Sequence, residues 1–268
     1  SHKLHEIRAL CSACTVLRGG KLTGVCDPRE ETNASLSRLM IGAEPPALAP
    51  TPRTPGDVVL SVKGLQLDKQ DPFGVDLQGI DLQVRSGEVV GLAGVSGNGQ
   101  RELLWALSGE DTRAAPAGVT IGGKPAGAMS PQARRHLGLH FVPEERLGRG
   151  AVPSLSLAQN LLLTRTESVG AGGWLRMGAL AEQARGIIER FKVKASGPDA
   201  AARSLSGGNL QKFIVGREIS AGPKLLIVSQ PTWGVDVGAA AQAGASADSA
   251  AAAGCQCGGI CTHARGSR

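Results

Sequence analysis

The sequence predicts an α/β fold built on a mainly parallel sheet, and three observations carry that prediction. Short apolar runs at 88–93, 137–142 and 225–228 are bounded by turn residues and read as buried strands. They alternate with helical periodicity at 100–107, 180–191 and 208–219, an alternation that implies parallel strands covered on both faces. The first run flows into a glycine-rich turn that opens a helix, the arrangement in which backbone N–H groups converge on an anion. The 268 residues leave room for one large domain or about one and a half. Glycine, at 38 residues, is well above average without a G-X-Y period, so a collagen-like chain is excluded.

The elements follow in order. Leu4, Ile7, Leu10 and Cys14 repeat at helical steps, and residues 15–17 and 22–25 flank Gly19 and Gly20 as a hairpin would. About 40 residues of this kind are rarely enough to fold alone. Residues 45–56 form a linker, with Pro45, Pro46, Pro50, Pro52 and Pro55. A larger unit over 57–240 begins with strand-like alternation at Val58, Leu60 and Val62 and again over 75–84. The strand, glycine turn and helix of 88–107 come next, and a helical insertion is expected over about 150–205, before the helix at 208–219 and the strand at 225–228.

Charge and cysteine content exclude other classes. The net charge of +6 comes from dispersed Lys and Arg, and with four Phe, three Trp and no Tyr there is little to stack on bases, so nucleic acid is not an expected partner. Cys11 and Cys14 have redox or zinc spacing, but no second pair follows at finger distance, and no metal site is expected. No apolar run approaches the roughly 18 residues of a membrane span, and no charged-then-apolar signal segment opens the chain.

The chemistry lies in three motifs. Gly94-Val95-Ser96-Gly97-Asn98-Gly99-Gln100-Arg101 has the glycine spacing and position of a phosphate-binding loop, although a glycine turn alone is as readily structural. Leu205-Ser206-Gly207-Gly208-Asn209 opens a helix about 110 residues later, where Ser206 could be an ordinary helix cap. Ser229-Gln230-Pro231-Thr232 closes the apolar run at 225–228 and leads to Gly234-Val235-Asp236. Together with Val142-Pro143-Glu144-Glu145-Arg146-Leu147-Gly148-Arg149-Gly150, this order and spacing resembles the ATP-binding subunits of ABC transporters, specifically the second nucleotide-binding half of the simple-sugar and nucleoside importers.

The resemblance covers residues 57 to about 240 and implies a P-loop NTPase core with a small antiparallel sheet, a helical insertion and a truncated end. Ser1-His2-Lys3-Leu4-His5-Glu6 is similar to the switch-histidine segment that closes a first half, so residues 1–44 are expected to be its remnant, although His2 alone reads as a surface residue. The implied cofactors are ATP and Mg2+, with Mg2+ mainly at the partner site. The implied partners are membrane permease subunits, indirectly an extracytoplasmic solute-binding protein, and a second nucleotide-binding half, with the chain peripheral on the cytoplasmic face of the inner membrane.

Residue by residue, the resemblance implies a degenerate site. Gln100 stands for the phosphate lysine and Arg101 for the magnesium hydroxyl. Ser229 and Gln230 replace the magnesium-side aspartate and the catalytic glutamate, and Glu144 replaces a glutamine that links nucleotide to the transport subunits. Ser206, Gly207, Gly208 and Asn209 are intact and would complete the partner's site. Asp236 reads as a turn residue or as part of the segment by which the halves communicate, and Trp233 beside it as packing. Residues 155–163 read as core, and in the family this region also faces the permease.

Rival readings are a nonfunctional fragment, a pseudo-ATPase scaffold, and a non-transport ABC ATPase acting on DNA or ribosomes, which would need a long coiled coil or charged helix not found here. Residues 241–268 read as an aberrant tail. Ala, Gly, Ser and Cys dominate it, no apolar run holds His263 in a strand, and a reading-frame shift just after Gly238 is expected.

Overall fold

The computed structural model describes residues 4–18, 20–42, 54–166, 170–171, 174–230 and 258–265. His2, Trp233 and Asp236, most of the 45–56 linker and the tail up to residue 257 lie outside the described residues.

The first unit comprises α1 (Leu4–Leu10), β1 (Cys14–Arg18), β2 (Lys21–Cys26) and α2 (Asn33–Ile41). β1 and β2 make an antiparallel hairpin with Arg18 opposite Lys21 and Cys14 opposite Cys26. Helix α2 is defined by its ends: Thr32 and Ser35 form a reciprocal capping box, and Gly42 closes it in a left-handed conformation. It lies on the hairpin, with the Leu39 methyls close against Gly24 and Thr23 Oγ1 donating to the Leu39 carbonyl at 3.1 Å. Val16 and Leu36 are buried there, whereas Leu17, Leu22 and Val25 remain exposed.

The larger unit runs β3 (Val58–Leu67), β4 (Leu77–Arg85), β5 (Val89–Val95), α3 (Gln100–Ser108), β6 (Val119–Ile121), β7 (Lys124–Pro125), α4 (Pro131–His136) and β8 (Leu139–Val142). There follow α5 (Leu157–Leu162), a minimal hairpin of β9 (Gly170–Ala171) and β10 (Trp174–Leu175), α6 (Met177–Arg190), α7 (Gly207–Ser220), β11 (Leu225–Ser229) and β12 (Gly258–Arg265). One sheet is antiparallel in the order β4-β3-β6-β7, and the other is parallel throughout in the order β5-β12-β11-β8.

Alternation along β11 builds both cores. Leu225 and Ile227 join Leu139, the α3 residues Leu103, Leu104 and Leu107, and the antiparallel sheet on one face. Leu226 and Val228 join Val142 and the apolar sides of α5, α6 and α7 on the other. His140 shares a face of β8 with Val142 and meets α7, where the buried Glu218 receives His140 Nδ1 at 2.9 Å, Arg135 Nη1 at 2.6 Å and Arg217 Nε at 2.8 Å. Arg217 also donates to the carbonyls of Gly150 and Asn160 at 2.9 and 3.2 Å, fastening α7 to the segment that holds α5.

Two expectations need correction. The run at 88–93 is not buried throughout: β5 is an edge strand of the parallel sheet, and while Val90 and Leu92 pack on the core, Val89 is 69% and Val95 50% exposed. The tail is not without a strand. Gly258 to Thr262 pair with Leu225 to Ser229, and Gly259 to Arg265 pair with Val89 to Val95, so β12 fills the space between β11 and β5 with His263 opposite Ala93. A strand paired on both sides is held by its backbone ladder, which composition does not reveal.

Candidate nucleotide-binding site

The loop from Val95 to Gly99 joins β5 to the first turn of α3. Its bend requires glycine at two positions, Gly97 with φ 91° and Gly99 with φ 96°, both in the left-handed region. Any side chain at Gly99 would also press on the Leu77 methyl, 3.3 Å from its Cβ. The loop therefore has the shape of an anion cradle, with Ser96, Gly97 and Asn98 exposed at its rim.

The side chains that surround it alter its chemistry. Gln100 folds back across the loop: Asn98 N–H donates to Gln100 Oε1 at 3.2 Å, and Gln100 Nε2 donates to the Val95 carbonyl at 3.1 Å. The amide occupies the space that a Cβ on Gly94 would take. Arg101 lies over the Trp105 ring at 4.9 Å and pairs with Glu102 at 3.2 Å. It is a cation held on the flank of α3.

Across the cleft lie Phe141, Glu144, Glu145, Arg149, Ser229 and Gln230. Ser229 is buried at the end of β11, and Gln230 turns out of the strand with φ 43°. Gln230 donates to the Glu144 carboxyl; burial and then the neighbouring Glu145 push that carboxyl's pKa up, against the Gln230 bond and the Arg149 charge. Arg149 pairs with Glu145 at 2.8 Å and with Glu110. Arg149 and Trp105 are site residues that the sequence reading missed, although the four-residue step from Arg101 to Trp105 on one helix was a usable signal.

Ser206 to Asn209 do not line this cleft. Ser206 and Gly207 are exposed at the start of α7, and the Ser206 side chain caps no backbone N–H there. Asn209 holds the turn instead, donating from Nδ2 to Ser206 Oγ at 2.9 Å and accepting from Lys194 N–H at 2.9 Å. The first turn of a fourteen-residue helix thus presents N–H groups that no side chain caps, beside an exposed Ser206 whose hydroxyl accepts from Asn209.

Nearest the loop the donors are a neutral carboxamide, the Arg101 guanidinium and the buried Ser229 hydroxyl, none of them an oxygen anion of the kind a hard divalent cation favours.

A family model described as ABC transporter matches residues 77–233, more than half of the chain. The chain belongs to the ABC transporter family. It is 40% identical over 245 residues to the glucose import ATP-binding protein of Haloferax volcanii, covering 89% of this chain and 44% of that protein. It is 38% identical over 242 residues to the nucleoside import ATP-binding protein of Lactococcus lactis and 40% identical over 241 residues to a ribose import ATP-binding protein of Rubrobacter xylanophilus, covering 89% of this chain and 47% of each relative. The chain thus spans about half the length of the curated relatives it matches.

Solved ABC cassettes share the fold. The ATP-binding subunit of an ABC transporter superposes with a TM-score of 0.59 at 22% identity, covering 77% of this chain and 79% of that one. A dimeric cassette in a post-hydrolysis state superposes with a TM-score of 0.60 at 18% identity, covering 76% and 88%. The parallel sheet, the antiparallel sheet and helices α5 and α6 are therefore those of an ABC P-loop cassette.

Proposed function

We propose that the chain belongs to the ATP-binding subunit of an importer for a simple sugar or a nucleoside, and that it serves its partner's ATP site more than its own. The relatives named for glucose, ribose and nucleoside import support the transport reading. One contrast carries the division of labour: the start of α7 is exposed and rigid, whereas the loop at Gly94 to Arg101 is bridged by its own Gln100.

On this reading Ser206, Gly207 and Gly208 meet the outer phosphates of ATP held by a second nucleotide-binding half, where the α7 N-terminus supplies N–H donors and a favourable dipole. His2 serves that same site, and Asp236 belongs to the segment linking the halves. Mg2+ and the catalytic base come mainly from the partner half. Gly94 to Arg101, with Glu144 and Gln230, form a pocket that binds nucleotide weakly and does not turn it over. The subunit sits peripherally on membrane permease subunits at the cytoplasmic face, and through them answers to an extracytoplasmic solute-binding protein. No described helix is long and apolar enough to cross a membrane.

The test is complementation of a catalytically competent first half. The chain alone should show Mg-dependent ATP turnover near background, and the mixture should hydrolyse ATP at least tenfold faster than either part. Ser206→Arg should abolish that gain and Gln230→Ala should leave it. Several turnovers per second by the chain alone, lost in Gly99→Asp, would overturn the proposal.

A further inference from the structure

The Cys11-x-x-Cys14 spacing does not bring its two cysteines together on one element: Cys11 ends α1, exposed, with its N–H on the Ile7 carbonyl, whereas Cys14 opens β1. The hairpin register brings a different pair together. Cys14 is the first residue of β1, Cys26 is the last of β2, and they are direct cross-strand partners. Side chains at such paired positions lie on the same face of the ladder with Cβ atoms about 4.5 to 5.5 Å apart, close to the reach of a disulfide. Both thiols are free and half-buried, so a small oxidant can reach them.

We infer that Cys14 and Cys26 form a reversible disulfide that staples the mouth of the hairpin in response to a hydroperoxide. One thiol is oxidised to a sulfenic acid as the peroxide O–O bond breaks and water leaves. The second thiol then displaces the hydroxyl from that sulfur, a second water leaves, and the S–S bond forms, so two thiols and one hydroperoxide yield one disulfide and two hydroxylic products, both water for hydrogen peroxide. Partial burial, the Cys14 thiol and the acidic Glu31 and Asp27 all push the Cys26 thiol upward. A disfavoured thiolate slows the exchange and also favours the closed form, because a disulfide whose reduced thiols gain no thiolate stabilisation is a poor oxidant. The bond would enclose the turn at Arg18 to Lys21 and hold β2 beneath α2.

The test treats the full chain with one equivalent of hydrogen peroxide, blocks remaining thiols with an alkylating agent and maps tryptic peptides without reduction. Cleavage at Arg18 and Lys21 should leave the peptides bearing Cys14 and Cys26 joined, with thioredoxin and its reductase separating them. Cys11→Ser should keep the link, and Cys14→Ser or Cys26→Ser should remove it. The same oxidation in denaturant should scatter the links among all six cysteines. A predominant Cys11–Cys14 link, a link to a tail cysteine, or recovery of both Cys14 and Cys26 as alkylated or over-oxidised thiols in the folded chain would overturn the inference.

Discussion

Gln100 meets the loop's own hydrogen-bonding needs, and that has a measurable cost to a ligand. A phosphate entering the cradle must displace the Gln100 carboxamide from Asn98 N–H, losing a neutral bond of about 1 kcal/mol, and position 100 offers no charge in return. Gln100→Lys removes the bridge and supplies the charge, and a charge-assisted bond of about 1.5 to 3 kcal/mol should tighten ATP binding roughly 10- to 100-fold, read by titration calorimetry. On the proposed reading turnover should remain at background, because Ser229 and Gln230 would still stand in place of the metal ligand and the base. Unchanged affinity would contradict the loop's assignment as a nucleotide cradle. The places of Gln100, Arg101, Ser229 and Gln230 were readable from the motifs and from the resemblance those motifs carry. Their contacts were not: Gln100 folding back, Arg101 stacked on Trp105 and Gln230 bonded to Glu144 depend on rotamers and on strands distant in sequence.

The contact between β8 and α7 rests on one buried carboxylate. Burial alone would raise the Glu218 pKa, but the Arg217 charge, the His140 bond and Arg135 overcome it and bring the carboxyl from its ordinary 4.5 down to about 2. A folded-state value below the unfolded one means stability that is fully present above about pH 4.5 and lost as pH falls toward 2; the shift corresponds to about 3 kcal/mol. Urea midpoints between pH 7 and pH 2.5 should fall chiefly in that window, and the fall should be reduced in Glu218→Gln. That variant should itself be destabilised by about 3 to 5 kcal/mol at pH 7, since it leaves Arg217 buried without its counter-charge. At the far end of α3, Gly109 has φ 88°, and an added Cβ would lie 2.7 Å from the Met129 carbonyl and 2.9 Å from Arg134 Nε. Gly109→Ala should cost about 2 to 4 kcal/mol in chemical denaturation. Helices α3, α6 and α7 were legible because they carry an apolar stripe at helical spacing. Helix α4 has too few apolar residues for that pattern, whereas α2 carries it only over Leu36, Leu39 and Met40, too short a run to read by itself; their caps, Thr32 and Ser130, mark where they begin.

The molecule's two cores meet on opposite faces of one four-stranded parallel sheet, and a strand from the tail completes it. The alternation of strands and helices disclosed the fold class, yet the Ala- and Gly-rich text after residue 238 hid β12, whose place is set by partners that lie far back along the chain. Removing residues 258–265 should split β5 from β11, and the shortened chain should lose its cooperative thermal transition and elute as higher-order species in size-exclusion chromatography. A monomer with an unchanged transition would show the strand to be dispensable. The same placement bears on biosynthesis. Val89 to Val95 leaves the ribosome long before Gly259 to Arg265, its partner in the ladder, has been translated. Until then β5 and β11 each present an unsatisfied edge, so the nascent cassette should depend on chaperone protection until its C-terminal strand is released, with sheet closure a late and slow event of high contact order.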